Sequence, residues 1–246
     1  MGVANKWSIA WAIADQLYNA GANVLFSYYG EKSLKSLIKL TEAEGMENVT
    51  YVECDVTKDE NIEDTFKYIQ EKVGVLHGVA HCIAHSKSGE LKGEYYNTSR
   101  DGYALAQDIS VYSLVAVTKY AKPLMTEGGG IITLSYYGGE KVIANYNVMG
   151  VAKAALDASV RYLANDLGKE NIRVNAISAG PIRTLAAKGI SNFTEMLKAF
   201  ETKSPMGRLV DPAEVGKTAV FLLSDMSSGV TGEIIHVDCG YNVIGI

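Results

Sequence analysis

Short β-branched apolar runs alternate with longer amphipathic segments along almost the whole chain. The strand candidates are Asn23–Tyr28, Val49–Cys54, Leu76–Ala84, Ile131–Ser135, Ile172–Ser178 and Ile234–Val237. The helix candidates are Trp7–Asn19, Glu31–Ala43, Asp59–Val73, Arg100–Met125, Tyr146–Leu167, Glu195–Thr202 and Pro212–Leu223. Strands that alternate with helices are typical of βαβ units. The pattern therefore predicts an α/β fold with a parallel sheet covered by helices on both faces.

Size and composition indicate one domain over residues 1–246. The chain has 246 residues, 48% of them hydrophobic, which is enough for one large core. The net charge is −5 and no basic run is present, so we expect no nucleic-acid partner and no binding to a membrane surface. No apolar run is long enough to cross a bilayer. These features predict a soluble cytoplasmic protein.

The three cysteines, Cys54, Cys82 and Cys239, are scattered and form no CxxC pair. This spacing argues against a disulfide framework and against a zinc site, so no metal is expected. Each cysteine ends or interrupts an apolar run, as a small buried hydrophobic side chain does. A reducing cytoplasm fits this use of cysteine best.

A glycine-containing turn opens the chain where a nucleotide-binding strand would end. Gly2 permits a sharp turn, and Ser8 and Ile9 open a helix whose free N–H groups can face a diphosphate. The turn does not match GxGxxG, so an ordinary strand-to-helix turn is an equal alternative. In a doubly wound, Rossmann-like fold the first strand precedes this turn and lies between the strands placed at Asn23 and Leu76. We therefore expect that strand to be largely missing, and stability and activity to depend on what completes the sheet.

Two strand ends supply further candidates for cofactor binding. Tyr29 follows the Asn23–Tyr28 strand, where a side chain usually meets the adenosine ribose. Neither Tyr29 nor Gly30 can pair with a 2′-phosphate, although Lys32 is close, so NADH is favoured over NADPH. Asp55 and Val56 follow the next strand, where Asp55 could accept a hydrogen bond from adenine. A helix N-cap is a compatible alternative for Asp55.

Tyr136, Tyr146 and Lys153 form the pattern that carries the most chemistry. Tyr146 and Lys153 are two helical turns apart and project from one face of a helix. A phenol beside an ammonium can donate a proton and stabilise an anion, and the positive charge is expected to lower the pKa of the phenol. The alternative is that this spacing of Tyr and Lys arises by chance on an amphipathic helix. Small residues favour close packing here: Gly150, Ala152, Ala154 and Ala155.

The segment from Asn175 to Thr184 runs from a strand end into a Gly180-Pro181 turn and then polar residues. Such a segment could pack against a flat ring and offer a hydroxyl group to a phosphate. The irregular stretch that follows, to about Phe193, is long for a loop in a compact domain, and such loops are usually functional. We predict a substrate-binding lid at about 180–203.

In chain order, these four patterns resemble the short-chain dehydrogenase/reductase superfamily, and more closely its bacterial NADH-dependent enoyl-acyl carrier protein reductases. The resemblance runs from Gly2 to about Gly240. Its most specific parts are GVANKxSIAW at 2–11, the Tyr136-x9-Tyr146-x6-Lys153 spacing, NYNVMGVAK at 145–153 and RVNAISAGPIRT at 173–184. Ordinary members of the superfamily use Tyr-x3-Lys, so the x6 spacing and the upstream tyrosine mark the enoyl reductases.

The resemblance implies roles for individual residues. The catalytic residues would be Tyr136, Tyr146 and Lys153. The cofactor-binding residues would be Gly2, Ser8, Ile9, Tyr29, Asp55, Val56, Ile83, Lys153, Ile182, Thr184 and Ala186. The substrate-binding residues would be Ser86, Tyr146, Phe193 and Met196. It also implies a homotetramer, with subunit contacts through the Arg100–Met125 helix and the helix after Tyr146.

The implied reaction is the reduction of trans-2-enoyl-acyl carrier protein to acyl-acyl carrier protein by NADH, the last step of the fatty acid elongation cycle. Hydride would reach C3 of the thioester, Tyr146 would donate a hydrogen bond to the enolate oxygen, and Lys153 would hold the nicotinamide ribose. Two alternatives stay open. One is a carbonyl (3-ketoacyl-type) reductase of the same superfamily, and the other is an inactive truncated nucleotide-binding protein.

Overall fold

The computed structural model describes residues 1–184 and 193–245, except the side chain of Phe193. The strands are β1 (Leu25–Tyr28), β2 (Thr50–Glu53), β3 (Gly78–His81), β4 (Gly129–Ser135), β5 (Ile172–Ala179) and β6 (Ile234–Val237). The helices are α1 (Ile9–Asn19), α2 (Gly30–Ala43), α3 (Asp59–Lys72), α4 (Arg100–Gln107), α5 (Ser113–Ala121), α6 (Asn147–Leu167), α7 (Phe193–Lys203) and α8 (Pro212–Leu223). Every strand pairing is parallel, so the predicted α/β fold is confirmed.

The sheet has two parts in the described residues. β3, β4, β5 and β6 pair in that order, and β1 pairs with β2. β4 and β5 lie in the middle of the larger part and are buried along most of their length. Their register places Ser135 opposite Ser178, so the two strands end level with each other. A parallel sheet brings such carboxyl ends to one edge, where a site can form.

Helices cover both faces of the sheet, as the alternating pattern predicts. On one face, α3, α5 and α6 bury an apolar cluster that includes Ile62, Leu114 and Leu156. On the other face, α1 and α8 bury a second cluster against β4 and β5, which includes Ile13 and Leu222. Among the described residues, no helix combines the length and the apolar character needed to cross a membrane.

A groove separates β1 from β3. It has a volume of about 610 Å³ and is lined by both strands and by the apolar face of α1. At its edge, the amino group of Met1 donates a hydrogen bond to the Ala80 carbonyl oxygen at 2.8 Å. The described residues place no strand in this groove, which lies where the sequence analysis expects the first strand of the fold. That a first strand is largely missing stays a prediction.

The predicted Arg100–Met125 helix is wrong as one continuous element. It is divided into α4, a π-helical turn at Asp108–Tyr112, α5 and a short 3₁₀ turn. Ser110 in the π turn explains the break, because its hydroxyl accepts a hydrogen bond from the His85 N–H at 3.0 Å and contacts the His85 carbonyl oxygen at 3.2 Å. The wider turn therefore attaches this helical segment to the loop after β3.

Other boundaries differ by a few residues. β3 is limited to Gly78–His81, rather than Leu76–Ala84, because the Leu76 N–H bonds to the Leu124 carbonyl oxygen instead of a strand. The helix predicted from Tyr146 begins one residue later, which leaves Tyr146 as its N-cap. The predicted Glu195–Thr202 helix extends over Phe193–Lys203.

Candidate active site

A mostly apolar cleft of about 350 Å³ lies at the carboxyl ends of β3, β4 and β5. It brings together residues that are far apart in the sequence but were predicted to share a site. The predicted residues that line it are Ile9, Ile83, Ser86, Tyr136, Tyr146, Lys153, Ile182, Thr184 and Met196. The cleft has a size typical of sites for small organic ligands, and its polar lining includes the predicted catalytic residues.

Tyr146 is held in the cleft by the unusual start of α6. It occupies the N-cap position, and the asparagines on either side, Asn145 and Asn147, have positive φ angles of 62° and 24°. The Tyr137–Gly139 turn packs so closely that a Cβ on Gly138 would lie 2.5 Å from the Tyr146 ring. Gly150, one turn into α6, is also tightly packed, because a Cβ there would lie 2.8 Å from the Gly138 carbonyl oxygen. Backbone of this kind is common at functional sites.

Tyr136 directly follows β4 and packs against Tyr146. The two ring centroids are 4.9 Å apart and the ring planes meet at 72°. The Tyr136 hydroxyl contacts the sulfur of Met196 at 3.8 Å, which links β4 to α7. Two phenols, one from a strand end and one from a helix N-cap, therefore face the same apolar space.

Lys153 is buried beneath the tyrosines. Its Nζ donates a hydrogen bond to the Leu134 carbonyl oxygen at 2.6 Å. Burial lowers the pKa of Lys153 to about 8, because the charged ammonium loses contact with water. At physiological pH Lys153 is therefore mostly charged, but its titration midpoint is much closer to that pH than the midpoint of an exposed lysine.

The expectation that the pKa of Tyr146 is lowered is wrong. The pKa of Tyr146 lies above its ordinary value, first because the phenol is buried and then because Tyr136 and Asp157 lie near it. The pKa of Tyr136 is also raised, mainly by burial. Both phenols are therefore protonated and able to donate hydrogen bonds near neutral pH.

The start of the chain fits a diphosphate. Gly2 has a φ of +88°, and a Cβ there would overlap the Cys82 carbonyl oxygen, so the turn approaches β3 as only glycine allows. Ser8 caps α1 by accepting a hydrogen bond from the Trp11 N–H at 3.3 Å. Ile9, the first residue of α1, lines the cleft, so the positive end of the helix is directed to one side of it. These features are compatible with the predicted diphosphate site.

Three predicted cofactor residues lie at the ends of β1 and β2, outside the cleft. Tyr29 is 69% exposed and precedes α2. Val56 is half-buried after β2. Asp55 accepts hydrogen bonds from the backbone N–H and hydroxyl of Thr57, at 3.1 and 2.6 Å. Asp55 is therefore not the N-cap of α3, a position that Lys58 occupies, but it fixes the turn before that helix.

The structure adds residues that the sequence analysis did not select. Glu53 accepts a hydrogen bond from the Gly30 N–H at 3.2 Å, so a carboxylate reaches across from β2 to the end of β1. Met149 lines the cleft one turn after Tyr146. Asp157 is buried one turn after Lys153. Of these three residues, Asp157 is the one that a sequence signal could have identified, through its i, i+4 spacing from Lys153.

Some predicted residues lie outside what the structure describes. Ala186 falls in 185–192, and only the backbone of Phe193 is described. The predicted lid at about 180–203 is described only at its two ends, where Gly180, Pro181, Ile182, Thr184 and Met196 line the cleft. Within residues 1–184 and 193–245, no group of three or more His, Cys, Asp or Glu side chains is placed to hold a metal ion.

A protein-family model for enoyl-(acyl carrier protein) reductase matches residues 2–242. The Bacillus subtilis enoyl-acyl-carrier-protein reductase (NADH) FabI is 60% identical over 243 residues, which cover 99% of this chain and 94% of that protein. The Staphylococcus aureus enoyl-acyl-carrier-protein reductase (NADPH) FabI is 53% identical over 244 residues, which cover 99% of this chain and 95% of that protein.

A solved structure also has the same fold over its whole length. The crystal structure of the Bacillus cereus enoyl-acyl carrier protein reductase with NADP+ and indole naphthyridinone matches with a TM-score of 0.98 at 56% identity. The match covers 100% of this chain and 96% of that chain.

Proposed function

Because the chain belongs to the enoyl-(acyl carrier protein) reductase family, we propose that Tyr136, Tyr146 and Lys153 are its catalytic residues. The predicted family, fold class and enzyme class are confirmed by this membership. The enzyme is an oxidoreductase of fatty acid synthesis that reduces 2-enoyl thioesters of acyl carrier protein. One observation carries the proposed roles, namely the meeting of two protonated phenols and a buried lysine in one apolar cleft.

The chain's own residues stabilise the charge that develops during reduction. When bound, the nicotinamide cofactor supplies the hydride that adds to C3 of the enoyl thioester. Tyr146 donates a hydrogen bond to the thioester oxygen as negative charge develops there. The raised pKa of Tyr146 keeps the phenol protonated, so that it can donate this hydrogen bond. The apolar cleft walls exclude water and so strengthen this hydrogen bond.

Lys153 and Tyr136 have supporting roles in this proposal. Lys153, held by the Leu134 carbonyl oxygen, would hold the hydroxyls of the nicotinamide ribose and add positive charge near the oxygen that Tyr146 binds. Tyr136 fixes the ring of Tyr146 by an edge contact. Met196 and Ser86 line the same cleft, where the acyl chain and the thioester would lie.

The cofactor-binding proposal follows the edge of the sheet. Gly2, Ser8 and Ile9 would hold the diphosphate, Tyr29 would lie near the adenosine ribose, and Asp55 and Val56 would lie near adenine. Ile83, Ile182 and Thr184 line the cleft where the nicotinamide would lie, and Ala186 would continue that wall. The close approach of Gly2 to Cys82 and the position of Ile9 support the diphosphate site.

Use of a nicotinamide dinucleotide is supported by the relatives, which include NADH and NADPH enzymes. We propose that this chain prefers NADH. Tyr29 and Gly30 offer no cation to a 2′-phosphate, and the Glu53 carboxylate lies within hydrogen-bonding distance of the Gly30 N–H. A negative carboxylate at this place would repel a 2′-phosphate more than a 2′-hydroxyl. The ratio of kcat/KM for NADH and NADPH, at one enoyl thioester concentration, tests the preference.

A rate assay with three substrates tests the catalytic proposal. NADH oxidation is measured with a crotonyl thioester of acyl carrier protein, with an acetoacetyl thioester and without a thioester. Turnover of the crotonyl substrate, lost in Tyr146→Phe, is the expected result. Turnover of the acetoacetyl substrate alone would favour the carbonyl reductase alternative. Binding of NADH, seen as a thermal shift, without any turnover would favour the inactive nucleotide-binding alternative.

A homotetramer is the assembly that we propose for the enzyme. Large apolar side chains are exposed on the helical segment from α4 to α5 and on α6, where subunit contacts were predicted. They are Tyr103, Tyr112, Val115 and Tyr162. Exposed apolar side chains grouped on one surface are typical of contacts between subunits. Sedimentation equilibrium should give a mass four times that of the chain.

We propose a reducing, cytoplasmic location and one domain over residues 1–246 with a substrate lid at about 180–203. Cys54, Cys82 and Cys239 are all free, which supports a reducing compartment. The positions of Gly180, Pro181, Ile182, Thr184 and Met196 at the cleft support a lid that begins and ends at the substrate. Limited proteolysis with and without NADH and an acyl thioester tests the lid, because a closed lid should be cleaved more slowly.

A further inference from the structure

A buried carboxylate lies one helical turn beyond the active-site lysine. Asp157 follows Lys153 by four residues in α6, so the two side chains leave the same face of the helix. Asp157 is only 6% exposed. Carboxylates are rarely buried to this extent unless a charge or hydrogen-bond donor offsets the loss of water.

The end of β4 lies beside this carboxylate. Asp157 Oδ1, Ser135 Oγ and Ser178 Oγ are buried and have no full hydrogen bond within the described residues. Ser135 and Ser178 are register partners at the ends of β4 and β5. The Ser135 hydroxyl is nevertheless close enough to lower the pKa of Asp157, although its geometry falls short of a full hydrogen bond. The carboxylate is therefore in a polar pocket that the lysine shares.

Consecutive residues of β4 contact the two charged groups. Leu134 accepts the hydrogen bond from Lys153 Nζ, and Ser135 acts on Asp157. The Tyr137–Gly139 turn covers the other side. A Cβ on Gly139 would lie 3.0 Å from the Lys153 carbonyl carbon and 3.1 Å from Asp157 Oδ2. The glycine thus allows the turn to cover both residues, and the carboxylate has little freedom to move.

We propose that Asp157 is a positioning residue that keeps Lys153 in its charged form. The inference rests on the proposed role of Lys153 at the ribose, which requires an ammonium with hydrogen atoms to donate. The carboxylate acts on the lysine through space, in a buried region where charges interact more strongly than they do in water.

The charge balance of the pair supports this role. Burial lowers the pKa of Lys153 to about 8, and Asp157 is the strongest influence in the opposite direction. Burial also raises the pKa of Asp157, and this is opposed first by Ser135 and then by Lys153. Each group thus favours the charged form of the other against the effect of burial.

The other groups that face Lys153 do not replace Asp157. His81 on β3 is fully buried, and burial lowers its pKa to about 3, so it is neutral near pH 7. Burial raises the pKa of Cys82 and of Tyr146, so both are neutral as well. The amino group of Met1 acts on His81 and Cys82 and is itself shifted toward its neutral form by burial.

Two further charges act on Asp157 itself, with opposite effects. Glu140, just after the Tyr137–Gly139 turn, raises the pKa of Asp157, and Arg161, one turn further along α6, lowers it. Glu140 is partly engaged by His236, whose Nε2 lies 2.6 Å from Glu140 Oε1. Their effects on Asp157 offset each other in part.

Titration of Lys153 by NMR tests the proposal directly. The enzyme is isotope-labelled at the lysine Cε positions, and the Lys153 signal is assigned by its loss in Lys153→Met. In Asp157→Asn, which keeps the shape of the side chain and removes its charge, the midpoint should fall by roughly one pH unit. Asp166→Asn removes a carboxylate from an exposed position on the same helix and should leave the midpoint unchanged.

An unchanged midpoint in folded Asp157→Asn, or an equal fall in Asp166→Asn, would overturn the proposal. Asp157→Ser provides an independent result if Asp157→Asn does not fold, because it also removes the carboxylate. The Lys153 midpoint should again fall. A midpoint that rises or does not change in folded Asp157→Ser would contradict the proposal.

Activity gives a second readout that a purely structural role would not produce. Asp157→Asn should lose kcat/KM for the enoyl thioester on the alkaline side at a pH about one unit lower than the unaltered enzyme, and recover near pH 6. If the chain did not reduce enoyl thioesters at all, the NMR titration would still decide the role of Asp157. Failure of the proposed function and failure of this inference are therefore distinguishable.

Discussion

The rings of Tyr136 and Tyr146 meet edge to face, with centroids 4.9 Å apart and planes at 72°. This geometry suits the opposite partial charges of a ring edge and a ring face, and such pairs contribute about 0.5–1.5 kcal/mol beyond their burial. The contact joins a strand end to a helix N-cap, so it fixes the direction in which the Tyr146 hydroxyl enters the cleft. In the proposed mechanism, Tyr146 therefore acts on the substrate oxygen and Tyr136 holds the ring of Tyr146 in place.

Tyr146→Phe should lower kcat for enoyl thioester reduction by about 100- to 1,000-fold, the usual loss when one oxyanion hydrogen bond is removed. The KM for NADH should change little, because the ring and the buried lysine remain. Steady-state kinetics measure both parameters. An unchanged kcat would remove Tyr146 from the chemistry.

Tyr136→Phe is the matched comparison, because it removes the other hydroxyl of the pair and keeps the ring contact. It should lower kcat by a smaller factor than Tyr146→Phe if Tyr136 supports and does not donate to the oxygen. A loss as large as that in Tyr146→Phe would show that the two hydroxyls act together.

Gly138→Ala should displace Tyr146. The added Cβ would lie 2.5 Å from Tyr146 Cδ1 and 3.1 Å from Tyr136 Cδ1, so both rings must move. We expect kcat to fall by about tenfold or more, since small displacements of a catalytic group are costly. Gly229→Ala is the control, because a Cβ there meets nothing within 4 Å. Equal rates for both variants would show that the turn does not position Tyr146.

The sequence predicts those parts of the site that depend on local spacing. The six residues between Tyr146 and Lys153 place both side chains on one side of α6, and the alternation of strands and helices predicts which chain segments end at the same edge. Contacts between distant segments are different. Glu53 reaches Gly30 only because β1 and β2 pair in a particular register, which no local pattern specifies.

The two sequence expectations that were wrong had physical causes outside the local pattern. The Arg100–Met125 segment has a helical period throughout, but Ser110 uses its hydroxyl on the His85 backbone, and the helix widens there. The pKa of Tyr146 was expected to follow its charged neighbour. Burial raises this pKa and is the largest influence on it. How deeply a side chain is buried depends on the whole fold, which a local pattern does not specify.

Gly2→Ala should destabilise the fold and weaken NADH binding. Alanine at a φ of +88° is strained, and its Cβ would overlap the Cys82 carbonyl oxygen. Gly21→Ala is a close control, because Gly21 has a φ of +90° but no atom within 4 Å of an added Cβ. Urea unfolding should show a loss of about 1–2 kcal/mol for Gly21→Ala from strain alone. A loss for Gly2→Ala no larger than this would show that the close approach to β3 is not required.

Lys153→Met should remove a pH dependence of stability that comes from burying a lysine. The pKa of Lys153 is about 8 in the fold and about 10.5 in the unfolded chain, so between these values the unfolded state binds one more proton. Stability from this group is lowest below pH 8, rises as the pH increases from about 8 to about 10.5, and is then constant. The rise should be roughly 3 kcal/mol, and urea unfolding at a series of pH values measures it. Lys39→Met, at an exposed position on α2, should keep the rise. Parallel pH curves for Lys153→Met and the unaltered enzyme would show that Lys153 does not titrate in this window.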